Sequence, residues 1–166
     1  VHVLVVHFKS GRSVPLERVN GEPVPWRTAR ARGEGDLRAL VLRSAEALFL
    51  RGIVDNVLEV DAGARVVVLG DFNDVESSTP VKIVRGTGAP GALTSVVAHV
   101  AEAQRFSHLY KGGRSLIDHI FVSDALAPRV TRVDIDNAWL REHESHGDDD
   151  APSIDSDHAP VIVELA

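Results

Sequence analysis

The chain has 166 residues, 44% hydrophobic and 25% charged, which gives room for one sizeable core and not two. It contains no cysteine, so disulfides and thiolate metal sites are excluded and the redox compartment stays open. Its 24 acidic residues outnumber 18 Lys and Arg, for a net charge of -6. That balance argues against tight nonspecific nucleic-acid binding, but not against phosphoester chemistry, where a divalent metal neutralises clustered carboxylates.

Val1 to Phe8 (VHVLVVHF) is β-branched and apolar and predicts a buried strand. The chain thus opens inside an apolar run, as a sequence does when residues precede it. No basic, apolar leader is visible, and no run nears the roughly 20 apolar residues of a membrane span. Ser10 to Gly35 is rich in Gly, Pro and Arg and predicts a long loop, with Pro23 and Pro25 as breakers. Leu37, Leu40, Val41, Ala45, Leu48 and Phe49 recur at helical spacing, predicting a helix from the N-cap Asp36 to about Val54, with Gly52 near its end.

Arg65 to Leu69 reads as a short buried strand closed by Gly70. The polar loop DFNDVESSTP follows, then a short helix around Val81 to Val84. Leu93 to Ala103 fits either a helix or a turn-rich connection. Phe106 to Tyr110, Ile117 to Ser123, Val130 to Ile135 and Val161 to Leu165 are strand candidates. No βαβ alternation, repeat or dividing linker is present.

Four segments end an apolar strand in acidic, amide or imidazole side chains: His7-Phe8-Lys9-Ser10, Gly70-Asp71-Phe72-Asn73, Ile117-Asp118-His119, and Ser156-Asp157-His158-Ala159-Pro160-Val161. Polar groups at strand ends, held by a rigid sheet, are a common way to assemble a site. Asp and Asn supply hard oxygen donors suited to Mg²⁺, Mn²⁺ or Ca²⁺. A histidine serves as base or, when protonated, as a phosphate contact. Singly, each has a plainer reading, because an Asp after a strand is a common turn former and a His in an apolar strand is usually structural.

In this order, HFKS, LGDFND, SLIDHIFVSD and SDHAPVIVEL resemble the late motifs of the endonuclease/exonuclease/phosphatase superfamily, from Val3 to Leu165. Phe106 to Gly112 is similar to an aromatic-rich stretch of secreted bacterial nucleases in that group. Ile135-Asp136-Asn137-Ala138, followed by Trp139, is similar to their INAE segment, and the long insertion before a helix carrying Arg43 and Ala45 is a third likeness. Ala159 departs from the commoner SDHDPV.

The resemblance implies an α+β fold of the DNase I-like type, a four-layer sandwich of two packed β-sheets flanked by helices. Residues 1–166 would be the C-terminal portion of one such domain. It implies a metal-dependent phosphoester hydrolase, a nuclease or phosphodiesterase working by in-line attack of water. A phosphatase or phospholipase of the same superfamily and a noncatalytic binding domain on the same scaffold remain alternatives. His158 would be the base or phosphate-stabilising imidazole, Asp118 its orienting partner and His7 a phosphate contact. Asp71 and Asn73 would position water and phosphate and share a metal, Mg²⁺ or else Mn²⁺ or Ca²⁺, with Asp157 as a further ligand. The partner is a phosphoester substrate, nucleic acid among the candidates, and Arg27, Arg30 and Arg32 equally suit a nucleic-acid backbone or an inositol phosphate. A secreted or cell-envelope setting follows from the likeness alone.

Two family motifs, an Asn-ended strand and a Glu that ligates the metal, are not found, since Glu17, Glu22 and Glu34 all follow His7. The expectation is that the missing N-terminal segment of the domain is needed for stability. His143 and His146, beside Asp148 to Asp150, read as a solvated loop over the site in preference to a metal site. Strand alternation turns His119 away from Asp118. His2, His99 and His108 carry no constellation.

Overall fold

The structure, a computed structural model, describes residues 1–16, 18–20, 22–23, 25–140 and 156–166. Its strands are β1 (His2–His7), β2 (Arg18–Val19), β3 (Glu22–Pro23), β4 (Val66–Asp71), β5 (Thr94–Ser95), β6 (His108–Tyr110), β7 (Gly113–Ser115), β8 (Asp118–Val122), β9 (Val130–Ile135) and β10 (Val161–Leu165). Helix α1 (Ala29–Val60) and helix α2 (Thr79–Arg85) complete the regular elements, with short 3-10 turns between. The main sheet runs β1-β4-β8-β5, and β9 pairs with β10 in a second sheet. β2–β3 and β6–β7 are separate hairpins; β6 falls within the strand expected over Phe106 to Tyr110, whereas β2–β3 lies in the segment expected to be a loop.

Side-chain alternation divides the main sheet into two faces. Val66, Val68 and Phe121, with Leu4 and Val6 of β1, pack on Ala47, Leu50 and Val54 of α1 and Val81 and Val84 of α2. Val67, Ile120 and Val122, with Leu69, point the other way onto Val130, Val133, Val161 and Val163 of the second sheet. Among the described residues the layers are therefore helices, four-stranded sheet, two-stranded sheet, within the expected mixed α+β class. On β1 the second face is open, and Val3 and Val5 are exposed.

Helix α1 starts earlier than Asp36 and passes through both Gly35 and Gly52. Thr28 is the cap, its Oγ1 accepting from the Ala31 N–H at 3.1 Å. Packing offsets the helix cost of glycine, about 1 kcal/mol each. Gly35 is buried because the Trp26 ring lies where a Cβ would stand, 2.6 Å away. The buried stripe is Gly35, Ala39, Arg43, Ala47, Leu50, Arg51 and Val54. The apolar residues whose spacing predicts the helix lie on another side: Leu37, Val41, Leu48 and Phe49 are all exposed.

Gly70 has a sharper requirement. Its φ is +136°, and an added Cβ would sit 2.0 Å from the backbone oxygen of Val6. Only glycine lets β4 approach β1 this closely at that angle. Gly70→Ala is expected to cost at least about 2 kcal/mol in denaturant unfolding. Gly52→Ala, where nothing lies within 4 Å, is expected to stabilise by about 0.5–1 kcal/mol.

Candidate active site

Register places the site. β1 runs parallel to β4 with His7 opposite Asp71, and β8 runs antiparallel to β4 with Asp118 opposite Asp71. His7, Asp71 and Asp118 thus form one cross-strand row at one end of the main sheet, on the face turned away from the helices. His7 Nε2 lies 3.4 Å from Asp71 Oδ2, with 78% of the His7 side chain exposed.

The turn after β4 is built around Phe72. Its ring is fully buried and meets Phe8, His119 and Phe121 edge-on at 5.0 to 5.3 Å, a favoured aromatic geometry. That anchor holds Asp71 and Asn73 on either side. Asn73 has φ +51°, a conformation that Asn tolerates better than most residues. Its backbone N–H donates to Asp71 Oδ1 at 2.7 Å. Its Nδ2 donates to the Phe8 carbonyl and to Asp71 Oδ2, both at 2.9 Å. The amide nitrogen therefore ties this turn to the end of β1 and fixes the Asp71 carboxylate.

His158 Nδ1–H donates to Asp118 Oδ2 at 2.8 Å, the orienting pair expected from the sequence. The same oxygen accepts from Ser107 Oγ at 2.7 Å, and Ser107 Oγ in turn accepts from the backbone N–H of Asp118 at 3.1 Å. Ser107 is fully buried, and its carbonyl accepts from the Ala159 N–H at 2.7 Å. The segment before β6 thus locks both members of the pair. Asn137 holds that segment from behind, its Nδ2 donating to the carbonyls of Gln104 and Phe106. Ser107 and Asn137 both lie in segments whose resemblance the sequence shows, but their roles depend on tertiary contacts that only the folded chain creates.

His108 corrects the sequence reading. It bridges to His158 through an isolated backbone pairing. Its ring centroid lies 4.9 Å from that of His158, and its Nε2 is 3.6 Å from Asp157 Oδ2. Two groups of metal-ligating type result, Asp71–Asp118–His158 and His108–Asp157–His158, with donor atoms in each within 4.8 Å of one another. Of the three residues expected to share one metal, Asp71 falls in the first group, hydrogen-bonded to Asn73, and Asp157 in the second, with His158 common to both. Neither group contains a glutamate.

Other polar residues support the loops. Arg43, buried in α1, donates to Asp74 at 3.1 Å and to the Ser10 carbonyl at 3.2 Å, joining the HFKS and GDFND segments. The Lys9 N–H donates to Glu46 at 2.7 Å. His119 turns into the helix-side core, and its Nε2–H donates to the Asp74 carbonyl at 2.9 Å. Burial holds its pKa below 6.5, so it is neutral and structural. Arg30 pairs with Glu34 at the start of α1. His143 and His146 lie outside the described residues.

The hydrogen bond from Asp118 raises the His158 pKa above 6.5, partly opposed by burial, with the charges of Asp118, Asp71 and Asp157 adding to the rise. Stability from this pairing is therefore fully present below pH 6.5 and lost as pH climbs through the raised value. In Asp118→Asn, the His158 imidazole resonances are expected to titrate at lower pH than in the parent. Unfolding measured across the same range should lose that acid-side advantage.

The fold and this cluster can now be set beside known proteins. The chain resembles a Neisseria 3' phosphatase solved with product DNA hairpin, at 19% identity and TM-score 0.58 over 99% of this chain. It also resembles a 3'-5' exonuclease from Neisseria meningitidis at 19% identity and TM-score 0.56 over 98%. A mannosyl-6-phosphatase from Bacteroides thetaiotaomicron aligns at 22% identity and TM-score 0.51 over 75% of this chain and 46% of its own. The chain covers 60% of each Neisseria structure. The comparison with curated proteins returns no match. Residues 5–158, spanning the His7 strand, the Asp71 turn, the Asp118 strand and His158, match the Endonuclease/Exonuclease/phosphatase family, and the chain belongs to that family.

Proposed function

We propose that the protein is a metal-dependent phosphoester hydrolase that cleaves phosphodiesters, nucleic acid being the leading substrate class. One observation carries this reading: the cross-strand row His7–Asp71–Asp118 continues directly into the Asp118–His158 hydrogen bond. Holding a fold together does not require two carboxylates and two imidazoles to converge on an open cleft.

The residues fit a hard divalent cation. Asp71 and Asp118 place carboxylate oxygens within reach of one centre. Asp71 still has unused acceptor capacity after its bonds to Asn73, since a carboxylate offers about four lone-pair sites. Bound there, such a cation neutralises charge on the phosphoryl oxygens and lowers the pKa of water. The remaining work falls to the chain. Nδ1–H of His158 is held by Asp118, which leaves Nε2 as the proton acceptor for the attacking water. Asp118 stabilises the imidazolium that results, as the acidic member of an Asp–His pair does. His7 contacts a phosphoryl oxygen through a ring N–H as the bond to the leaving oxygen breaks. Trp139, Pro160 and Ser156 line the cleft beside Asp118 and His158.

A phosphatase acting on a small phosphoester is the second reading. The net charge of -6 favours it, and the mannosyl-6-phosphatase shows that the fold accommodates such an activity.

Hydrolysis of plasmid DNA, RNA, bis-p-nitrophenyl phosphate and p-nitrophenyl phosphate, with Mg²⁺ and with EDTA, separates the two. Diester cleavage that EDTA abolishes is expected, and cleavage of the monoester alone would favour the phosphatase. Because His158 must be unprotonated to act as base, the rate should fall on the acid side of its pKa, which the Asp118 hydrogen bond raises. Asp118→Asn should move that fall to lower pH while reducing kcat by at least about 100-fold, the usual scale of a lost acid–base partner. An unchanged profile and kcat would remove the Asp–His pair from the reaction.

A further inference from the structure

We infer that His108, Asp157 and His158 form a second cation site, selective for borderline metals such as Zn²⁺ or Co²⁺, whose occupation switches hydrolysis off. The inhibition rests on the proposed role of His158, whereas the site itself does not.

The donor set points to this class of ion. Two imidazoles and one carboxylate suit Zn²⁺ and its neighbours, while Mg²⁺ favours an all-oxygen, near-octahedral shell. The spacing agrees. Asp157 Oδ2 is 3.6 Å from His108 Nε2, and Asp157 Oδ1 is 4.0 Å from His158 Nε2. Both separations exceed a hydrogen bond. Donors around a tetrahedral ion bound at about 2.1 Å stand about 3.4 Å apart, so a small side-chain rotation completes the shell.

The far side of each ring is also arranged as a metal ligand's is. His108 Nδ1 hydrogen-bonds Ser115 Oγ at 3.3 Å, and His158 Nδ1 hydrogen-bonds Asp118. The Asp118 carboxylate fixes the His158 tautomer that leaves Nε2 free for the ion, and Ser115 holds the His108 ring in place. The His108 ring is held further by stacking on Tyr110, with planes 18° apart, and by the backbone bridge to His158.

The consequence follows from a shared atom. Nε2 of His158 is the nitrogen that accepts the proton in hydrolysis, and a nitrogen bound to Zn²⁺ has no lone pair left for that task. One imidazole therefore belongs to both a hard-cation group and a borderline-cation group, with opposite effects on activity.

Zn²⁺ titrated by isothermal calorimetry into the protein, with Mg²⁺ in excess, tests the site without recourse to activity. Parent protein should show one site. His108→Phe and Asp157→Asn should each weaken binding by at least about tenfold, the loss that removing even an outer partner brings. His99→Ala, at an exposed histidine on another element, should leave it unchanged, and circular dichroism confirms that each variant is folded. Zn²⁺ inhibition, taken relative to each variant's own rate, should weaken in parallel. Equal Zn²⁺ affinity in parent, His108→Phe and Asp157→Asn would overturn the site and leave the proposed function standing. Zn²⁺ held through His108 with hydrolysis undiminished would overturn the switch, and with it the assignment of His158 as base.

Discussion

Asp71 and Asp118 stand directly opposite one another on antiparallel strands, and like charges in that arrangement oppose sheet formation. The rest of the site is built around this pair of carboxylates. His158 meets it from one side with a pKa raised by Asp118. His7 meets it from the other, 3.4 Å from Asp71. A divalent cation between the carboxylates would relieve what remains. The burial that holds the paired strands comes from both faces, through Phe72, Phe121, Val66 and Val68 on the helix side and Val67, Ile120 and Val122 on the other.

Two layers of support keep the opposed carboxylates in place. Gly70 allows β4 to approach β1 where any side chain would strike the Val6 oxygen, and Phe72 pins the following turn into the core. On the other strand, Ser107 bonds the Asp118 carboxylate and its backbone together. The effect of these residues is positional, and a displacement of about 1 Å in such a constellation is costly to catalysis.

What was legible in the sequence follows from this division. Asp71, Asp118 and His158 sit at the ends of strands with strong apolar patterns, so their motifs and the strands β4, β8, β9 and β10 could be read directly. The start of α1 could not, because Gly33 and Gly35 look like breakers until the Trp26 ring is seen packed against Gly35. The exposed positions of Leu37, Val41, Leu48 and Phe49 show that apolar spacing can reveal a helix without revealing its buried face. His108 went unread because its partners, Asp157 and His158, are distant in sequence and are joined to it only by tertiary pairing. The two-residue strands of the β2–β3 hairpin are too short to set up a period.

The claim at the centre of this account is that Asp118 and His158 act as one unit at a phosphoester hydrolysis site. A double-mutant cycle on Mg²⁺-dependent diester hydrolysis, using Asp118→Asn, His158→Gln and the double variant, measures that coupling. If the two act as a unit, the double variant should be scarcely slower than His158→Gln alone, because Asp118 has nothing to orient once the imidazole is gone. Losses in kcat that multiply fully in the double variant would show the two residues working independently and would contradict the account.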